Sequence, residues 1–509
     1  MTHIQMSRRK WAFAFIITVA ILIRFAAAWP LAHLHSDEVG QYLEQAHRLV
    51  FGYGAIPWEY REGMRSWFVP LILVGPMALG DAVGGPGSLL YLHFPKFLVA
   101  LCSLPILWAA WTFGRRVSEP HGWVAVIAAA VWYEFVHGAA HTLTEPLATA
   151  AILPAAALLL SPRGNEALDR RRFALAGFLL GLGCILRFHY GPAVAIIALV
   201  ALKGQWRTGA VPIILGGLGA ALISACVDIG SGALPFSWIV TNIRFNIVHD
   251  IASEFVVLPP TAYLGEFILK WGWMRIPIFL CILPAIKYHR PLFWVAIVNL
   301  LLHSLIGHKE YRFIFLTMVI FIILAAIGSV EIIRFLANRF KPTLTRWSAA
   351  VGGLFWISLS LSLAATEPRR AIWTRYAPTQ TLVAKAGQLP ETCGFAFEQT
   401  EFWTSGSYSV FHRNVPFYLE PGLDPSEMKS GRTLQAAAGY NSLVGPETLR
   451  PLLPKSYRAV ECRPAGAERD LPAYAPDTAR VCLFHRPGPC TAQGLEKHRV
   501  QDVLQSLRR

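Results

Sequence analysis

The sequence predicts an α-helical polytopic membrane protein with a small extracytoplasmic α/β domain at its C-terminal end. Three observations predict it. Of 509 residues, 54% are hydrophobic and 15% are charged, whereas soluble domains carry about 25% charged residues. Apolar runs on the scale of the about 20 residues that cross a bilayer recur from Trp11 to Ala365. After Ala365 they stop, and Pro, Gly and charged residues take over. Residues 1–365 therefore read as a transmembrane module and 366–509 as a soluble domain. The composition excludes a disordered chain, a coiled coil and most soluble enzymes; a membrane enzyme or a transporter remains.

The elements follow in order. Arg8-Arg9-Lys10 precede an apolar run from Trp11 to about Leu31, long for a signal peptide and read as the first transmembrane helix. Trp67 to Leu79 is short and reads as re-entrant or interfacial. Ten further runs follow: Leu89 to Phe113, Trp123 to His137, Leu143 to Leu160, Phe173 to Phe188, Pro192 to Leu202, Ala210 to Ile229, Leu264 to Ile286, Pro291 to Ile306, Phe313 to Phe335, and Trp347 to Ala365. The formal charge is +15, from 46 Lys and Arg against 31 Asp and Glu. The cations lie between spans and form no stripe, which argues against nucleic-acid binding. With the N-terminus inside, the loops holding Arg115-Arg116, Arg170 to Arg172, Lys203, Lys287 with Arg290, and Arg339 all fall inside. The loops at Asp37-Glu38, Pro235 to Pro260 and His308 to Arg312 fall outside. The positive-inside bias thus favours about eleven spans and an outside C-terminus.

In the soluble domain, Cys393 to Phe397 and Tyr408 to Phe411 read as strands. Cys393, Cys462, Cys482 and Cys490 can form two disulfides in an oxidising compartment, with connectivity open. Neither a phosphate-binding glycine loop nor a Cys/His cluster at metal spacing occurs.

Four constellations can carry chemistry. Asp37 and Glu38 lie just past the first span, where an apolar wall makes a carboxylate a better proton acceptor near neutral pH; a solvated loop is the bland reading. Trp58-Glu59-Tyr60 with Arg65 mixes aromatic and charged groups, as a sugar-binding rim does and as an interfacial belt also does. Arg187 ends an apolar run, where ionisable groups are functional candidates. His308, Lys309 and Arg312, if helical, share a face, and Arg can grip a phosphate through two parallel bonds.

His35-Ser36-Asp37-Glu38, then Trp58-Glu59-Tyr60 with Arg65-Ser66, then His308-Lys309-Glu310-Tyr311-Arg312-Phe313-Ile314 occur in that order. Together they resemble glycosyltransferase family 22 of the GT-C superfamily, the lumenal mannosyltransferases of N-glycan and GPI-anchor assembly. Thr142-Leu143-Thr144-Glu145 and Arg244-Phe245-Asn246 resemble weaker family motifs, and the stretch from Trp403 to Tyr418 resembles the family's soluble tail. The resemblance implies a GT-C fold and an inverting transfer of a sugar, mannose, from a polyprenyl-phosphate sugar to a hydroxyl of a glycan or glycolipid. It implies Asp37 as base with Glu38 beside it. His308, Lys309, Arg312 and Arg187 would meet the donor phosphate, and Trp58, Glu59, Tyr60, Arg65 and Asn246 the acceptor or sugar. It implies neither a cofactor nor a metal, the cations standing in the metal's place. The chain departs from the family after Asn246: Phe255 to Pro260 carries no His or Trp, which leaves the acceptor open. The expected location is a bacterial inner membrane with a periplasmic site. A GT-C enzyme for another sugar, of arabinose or aminosugar type, and a lipid or sugar transporter are the rival readings.

Overall fold

The computed structural model describes residues 3–160, 166–254, 257–340, 347–367, 369–398, 402–419, 438–465, 480–491 and 499–506. It divides into two compact units. The first comprises Met1–Ala27, Ser66–Phe68 and Val99–Arg369; the second comprises Ala28–Arg65, Val69–Leu98 and Arg370–Arg509. This division differs from a cut at residue 365, because residues 28–65 and 69–98 group with the C-terminal region.

The first unit is helical. At its centre lies Phe315–Phe340, buried at every residue from Phe315 to Val330, as befits a helix apolar all round. Trp206–Gly230 is the opposite case. Only 11% of its most apolar window is buried, and it turns Leu215, Leu218 and Leu222 outward, as a lipid-facing helix does. It pairs with Glu166–Leu186 at Gly177 and Gly216, where a Cβ would strike the facing backbone. Small residues let membrane helices approach this closely.

Among the described residues, six helices are long and apolar enough to cross a membrane, or seven if the bent pair Glu119–Val131 and Tyr133–Ala139 is one span. The sequence suggested about eleven. The difference arises where apolar runs are short or broken. Thr144–Leu159 and Phe188–Leu202 are shorter apolar helices. Phe173 to Phe188 is largely the end of Glu166–Leu186, whose first turns are charged. Leu264 to Ile286 and Pro291 to Ile306 fall in one continuous stretch, Ala262–Leu305, which is broken at His289 (φ −132°, ψ 42°). Its contacts show that the chain turns back there. Phe279 meets Phe321 and Tyr288 meets Glu331, so the first half runs alongside Phe315–Phe340. Asn299 then meets Thr317, and His303 meets Phe313, so the second half runs the other way.

The second unit holds a five-stranded mixed sheet in the order β2-β1-β3-β5-β4. The strands are β1 (Phe395–Phe397), β2 (Phe417–Leu419), β3 (Ser442–Pro446), β4 (Arg458–Pro464) and β5 (Arg480–His485). β1 is parallel to β2 and β3; β5 is antiparallel to β3 and β4. The Phe395-Ala396-Phe397 run is buried throughout, as a strand covered on both faces requires. Tyr408 to Phe411, expected as a strand, is instead the helix Ser407–Phe411. It is entered from Gly406 at φ 80°, and every residue in it is buried, so its polar–apolar alternation marks no exposed face. Disulfides join Cys393 to Cys490 and Cys462 to Cys482.

The rest of the unit is bound to this domain by polar contacts. Glu44 Oε2 accepts from the Ser409 N–H at 2.7 Å, Tyr91 donates to the Ser409 carbonyl at 2.8 Å, and His47 Nε2 lies 3.0 Å from His412 Nδ1. The Trp403 ring packs against Gly40, 3.1 Å from where a Cβ would stand.

Candidate active site

The candidate residues fall in two groups, one in each unit. In the second unit, the chain leaves the first helix at Ala28 and re-enters helical structure at Asp37, the residue before the π-helix Glu38–Leu43. A π turn is uncommon and frequent at functional sites. The two neighbouring carboxylates have different surroundings. Glu38 is fully buried and accepts from the Leu34 N–H at 3.1 Å, so it ties down the loop. Asp37 is half-buried, with Oδ1 3.5 Å from His35 Nδ1.

Glu59 and Arg65 feel the charge of Asp37, and Tyr60 follows Glu59 in the chain. The Gln41 amide donates to Glu59 at 3.1 Å, Arg65 Nη2 stands 4.0 Å from the same carboxylate oxygen, and the Tyr60 hydroxyl donates to the Gln41 carbonyl at 2.8 Å. Burial pushes the Glu59 carboxyl up; Arg65 opposes the shift and Asp37 adds to it. Burial pulls the Arg65 guanidinium down, but the charges of Asp37 and Glu59 outweigh it and hold it above its ordinary value. Burial also raises the Tyr60 phenol. Trp58 opens the short helix Trp58–Arg61 and is half-buried.

In the first unit, the His308–Arg312 segment is extended at its start. His308 pairs with Val257 as a β-bridge, and Glu310 has extended backbone angles (φ −129°, ψ 142°). Side chains therefore alternate, and the shared helical face expected for His308, Lys309 and Arg312 does not form. Lys309 points into the fold and donates to the carbonyls of Leu258 (2.8 Å), Gly307 (3.4 Å) and Ile306. Tyr311 also points inward and donates to Glu134 at 2.7 Å, a carboxylate that also accepts from Trp132 and Trp271 at 2.8 and 2.9 Å. His308, Glu310 and Arg312 form a second set. His308 Nε2 lies 3.0 Å from Glu310 Oε1. Arg312 donates to both Glu310 oxygens, at 2.6 and 3.0 Å.

Arg312 also reaches Glu145, Nη1 to Oε1 at 3.3 Å. Arg187 reaches the same oxygen at 3.2 Å. The structure thus brings Arg187 and Arg312 together, with His308 linked through Glu310. Asn246 is elsewhere in that unit, bonded to Asn242 at 3.0 Å. Of the stretch where the chain departs from the family, Phe255 and Val256 lie outside the described residues, while Val257 and Leu258 brace the His308–Arg312 segment. Sequence reasoning assigned no role to Glu134, Glu145 or Glu310. Glu145 and Glu310 stood inside quoted motifs, but Glu134 lay in an apolar run that gave no signal beyond a carboxylate at membrane depth.

The model of the Alg9-like mannosyltransferase family matches residues 11–380. GPI mannosyltransferase 3 of Yarrowia lipolytica is 28% identical over 294 residues, 55% of either chain. Mouse GPI alpha-1,2-mannosyltransferase 3 is 26% identical over 290 residues, 55% of this chain and 52% of its own. The chain spans about half the length of these curated relatives. The crystal structure of ArnT from Cupriavidus metallidurans bound to undecaprenyl phosphate superposes with a TM-score of 0.58 at 12% identity, covering 93% of this chain and 98% of that one. At that identity the likeness shows the fold alone, an α-helical membrane protein of GT-C type.

Proposed function

The chain belongs to the Alg9-like mannosyltransferase family, and on that premise we propose that it is an inverting mannosyltransferase. It moves mannose from a polyprenyl-phosphate carrier to a hydroxyl of a glycan or glycolipid. It works at the outer side of the membrane it spans, a bacterial inner membrane with the reaction on the periplasmic side.

Asp37 takes the proton of the acceptor hydroxyl. The hydroxyl oxygen bonds to the anomeric carbon from the face opposite the phosphate. The bond from that carbon to the phosphate oxygen breaks, and its electron pair leaves on the phosphate. Arg187, Arg312 and His308 meet the developing charge, the kind of preorganised stabilisation that often contributes most to rate. The phosphate exchanges with Glu310 in the Arg312 fork. Lys309 braces the segment. Glu59, Tyr60 and Arg65 hold the surroundings of Asp37, and Trp58 and Asn246 are offered to the acceptor or sugar.

The observation that carries the reading is the contrast between adjacent carboxylates. Glu38 is buried and committed to a backbone N–H, while Asp37 is half-buried and feels the charge of a half-buried arginine, Arg65. The test is the purified full chain in liposomes with polyprenyl-phosphate mannose and a lipid-linked glycan. The expected product is a new mannoside of inverted configuration. Asp37→Asn should lower turnover by about 10² to 10⁴, the usual worth of a general base, and Glu38→Gln should cost less. Lipid movement without a new glycosidic bond would replace the reading with transport, and normal turnover in Asp37→Asn would move the base elsewhere.

A further inference from the structure

We infer that Glu145 is a positioning residue that pairs Arg187 with Arg312 into one two-arginine phosphate clamp. Three separate elements meet here. Glu145 stands in the first turn of Thr144–Leu159. Arg187 stands at the break between Glu166–Leu186 and the turn Phe188–Tyr190. Arg312 belongs to the turn Tyr311–Ile314. Two guanidinium groups this close repel strongly away from water. A single carboxylate oxygen between them, 3.2 Å from one and 3.3 Å from the other, turns that repulsion into attraction. The Phe313 ring supports the pair from another side, with the Arg187 and Arg312 guanidinium carbons 4.5 and 5.2 Å from its centroid.

Two further observations point to a ligand. Glu145 is fully buried, yet neither of its oxygens makes a well-directed hydrogen bond among the described residues. It is held by its two ion pairs, so its position and that of the arginines depend on each other. The Arg187 Nε has no hydrogen-bond partner among the described residues, so this guanidinium keeps a donor in reserve. An anion whose oxygens span both arginines would engage that donor and take the place of Glu310 at Arg312. Glu145, buried behind them, stays. A tetrahedral phosphate ester fits that demand better than a planar carboxylate, because it offers oxygens to two forks at once.

The inference rests on the transfer reading for its turnover readout and not for its binding readout. Both are measured on the purified full chain. Binding uses polyprenyl monophosphate; turnover uses polyprenyl-phosphate mannose. Glu145→Gln keeps the volume and removes the charge. Turnover should fall by roughly 10- to 100-fold, as expected when catalytic groups are displaced on the ångström scale. Phosphate binding should change with it. Glu145→Asp keeps the charge and should recover part of both; a packing role would instead favour Gln over Asp. In an Arg187→Ala background, adding Glu145→Gln should change either quantity by less than about threefold, because the residue then has nothing to pair. If Glu145→Gln acts by the same factor with and without Arg187, Glu145 does not act through the pair and the inference fails. Should the Gln variant fail to fold, Glu145→Asp with and without Arg187→Ala gives the same comparison. Binding that shows this dependence in a chain that transfers no sugar would overturn the transfer reading and leave the clamp standing.

Discussion

The neighbours Lys309 and Arg312 divide a job that their sequence spacing assigned jointly. Extended backbone turns Lys309 toward carbonyls and leaves Arg312 between carboxylates. Lys309→Ala leaves the carbonyls of Leu258 and Ile306 without their charged donor, a loss of about 1 to 3 kcal/mol. We expect a lowered melting temperature with donor KM near wild type in whatever fraction stays folded. Arg312→Ala should raise donor KM or lower turnover in the folded fraction, in addition to the thermal loss of unpairing buried Glu145. Arg312→Lys should rescue it only in part, since an ammonium cannot reproduce a two-bond fork. Thermal melting and donor kinetics on the three variants test this; an equal change in donor kinetics in the folded fractions of Lys309→Ala and Arg312→Ala would abolish the distinction.

At the scale of an element, the helix Ser407–Phe411 depends on a side chain remote in sequence. Its Ser409 N–H would be an orphan of the first turn; the Glu44 carboxylate accepts it, along with the Ala55 N–H at 2.6 Å. Burial pushes the Glu44 carboxyl up from 4.5 to about 7, against these donors and the Ser407 and Ser409 side chains. A carboxyl raised on folding contributes stability that is present below pH 4.5 and lost as the pH climbs to about 7. Burial holds His47 down at about 3, so its contribution is present above pH 6.5 and lost as the pH falls toward 3. Melting curves of wild type and Glu44→Gln share the histidine. The wild type should therefore lose stability relative to the variant between pH 5 and 7, and parallel curves would show that Glu44 does not titrate there. The disulfides act at the same scale. Cys393–Cys490 closes a separation of 97 residues and Cys462–Cys482 one of 20. Loop-closure entropy makes the first worth about 5 kcal/mol and the second about 3. Cys393→Ser should lower the melting temperature more than Cys462→Ser, and the opposite order would point to the folded sheet as the main source of the effect.

For the whole molecule, the charge bias predicts an N-terminus in the cytoplasm and residues 366–509 outside. A reporter fused after Arg509 should be active only if it is of the kind that folds outside. Activity of a cytoplasmic reporter there would invert the topology and place Asp37 on the wrong side for a lipid-linked donor displayed outside. The turn at His289 bears on this, because an added or lost pass reverses everything downstream. A cysteine-labelling scan across 286–292 should find that region on the inner side. The compact units also bear on removal of the C-terminal region. Residues 28–65 contact it through Glu44, His47 and Gly40, so truncation at 365 should disturb the segment that carries Asp37 as well as any acceptor contacts.

The amino-acid order by itself determined the membrane character, the presence of a small non-membrane region toward the C-terminus and the motif strings, because apolar runs, charge bias and short motifs are local properties of the chain. It also showed which residues carry charge near the ends of spans. It did not determine the number of passes, because a span can be short, broken or folded back, as at His289, without losing its apolar composition. It misread Ser407–Phe411, whose first turn is capped by Glu44 from a segment more than 300 residues away. The pairing of Arg187 with Arg312 and the inward turn of Lys309 were likewise tertiary decisions. A charge pattern fixes which groups exist, but which carboxylate balances which cation, and which face a side chain takes, is set only when distant backbones are packed around it.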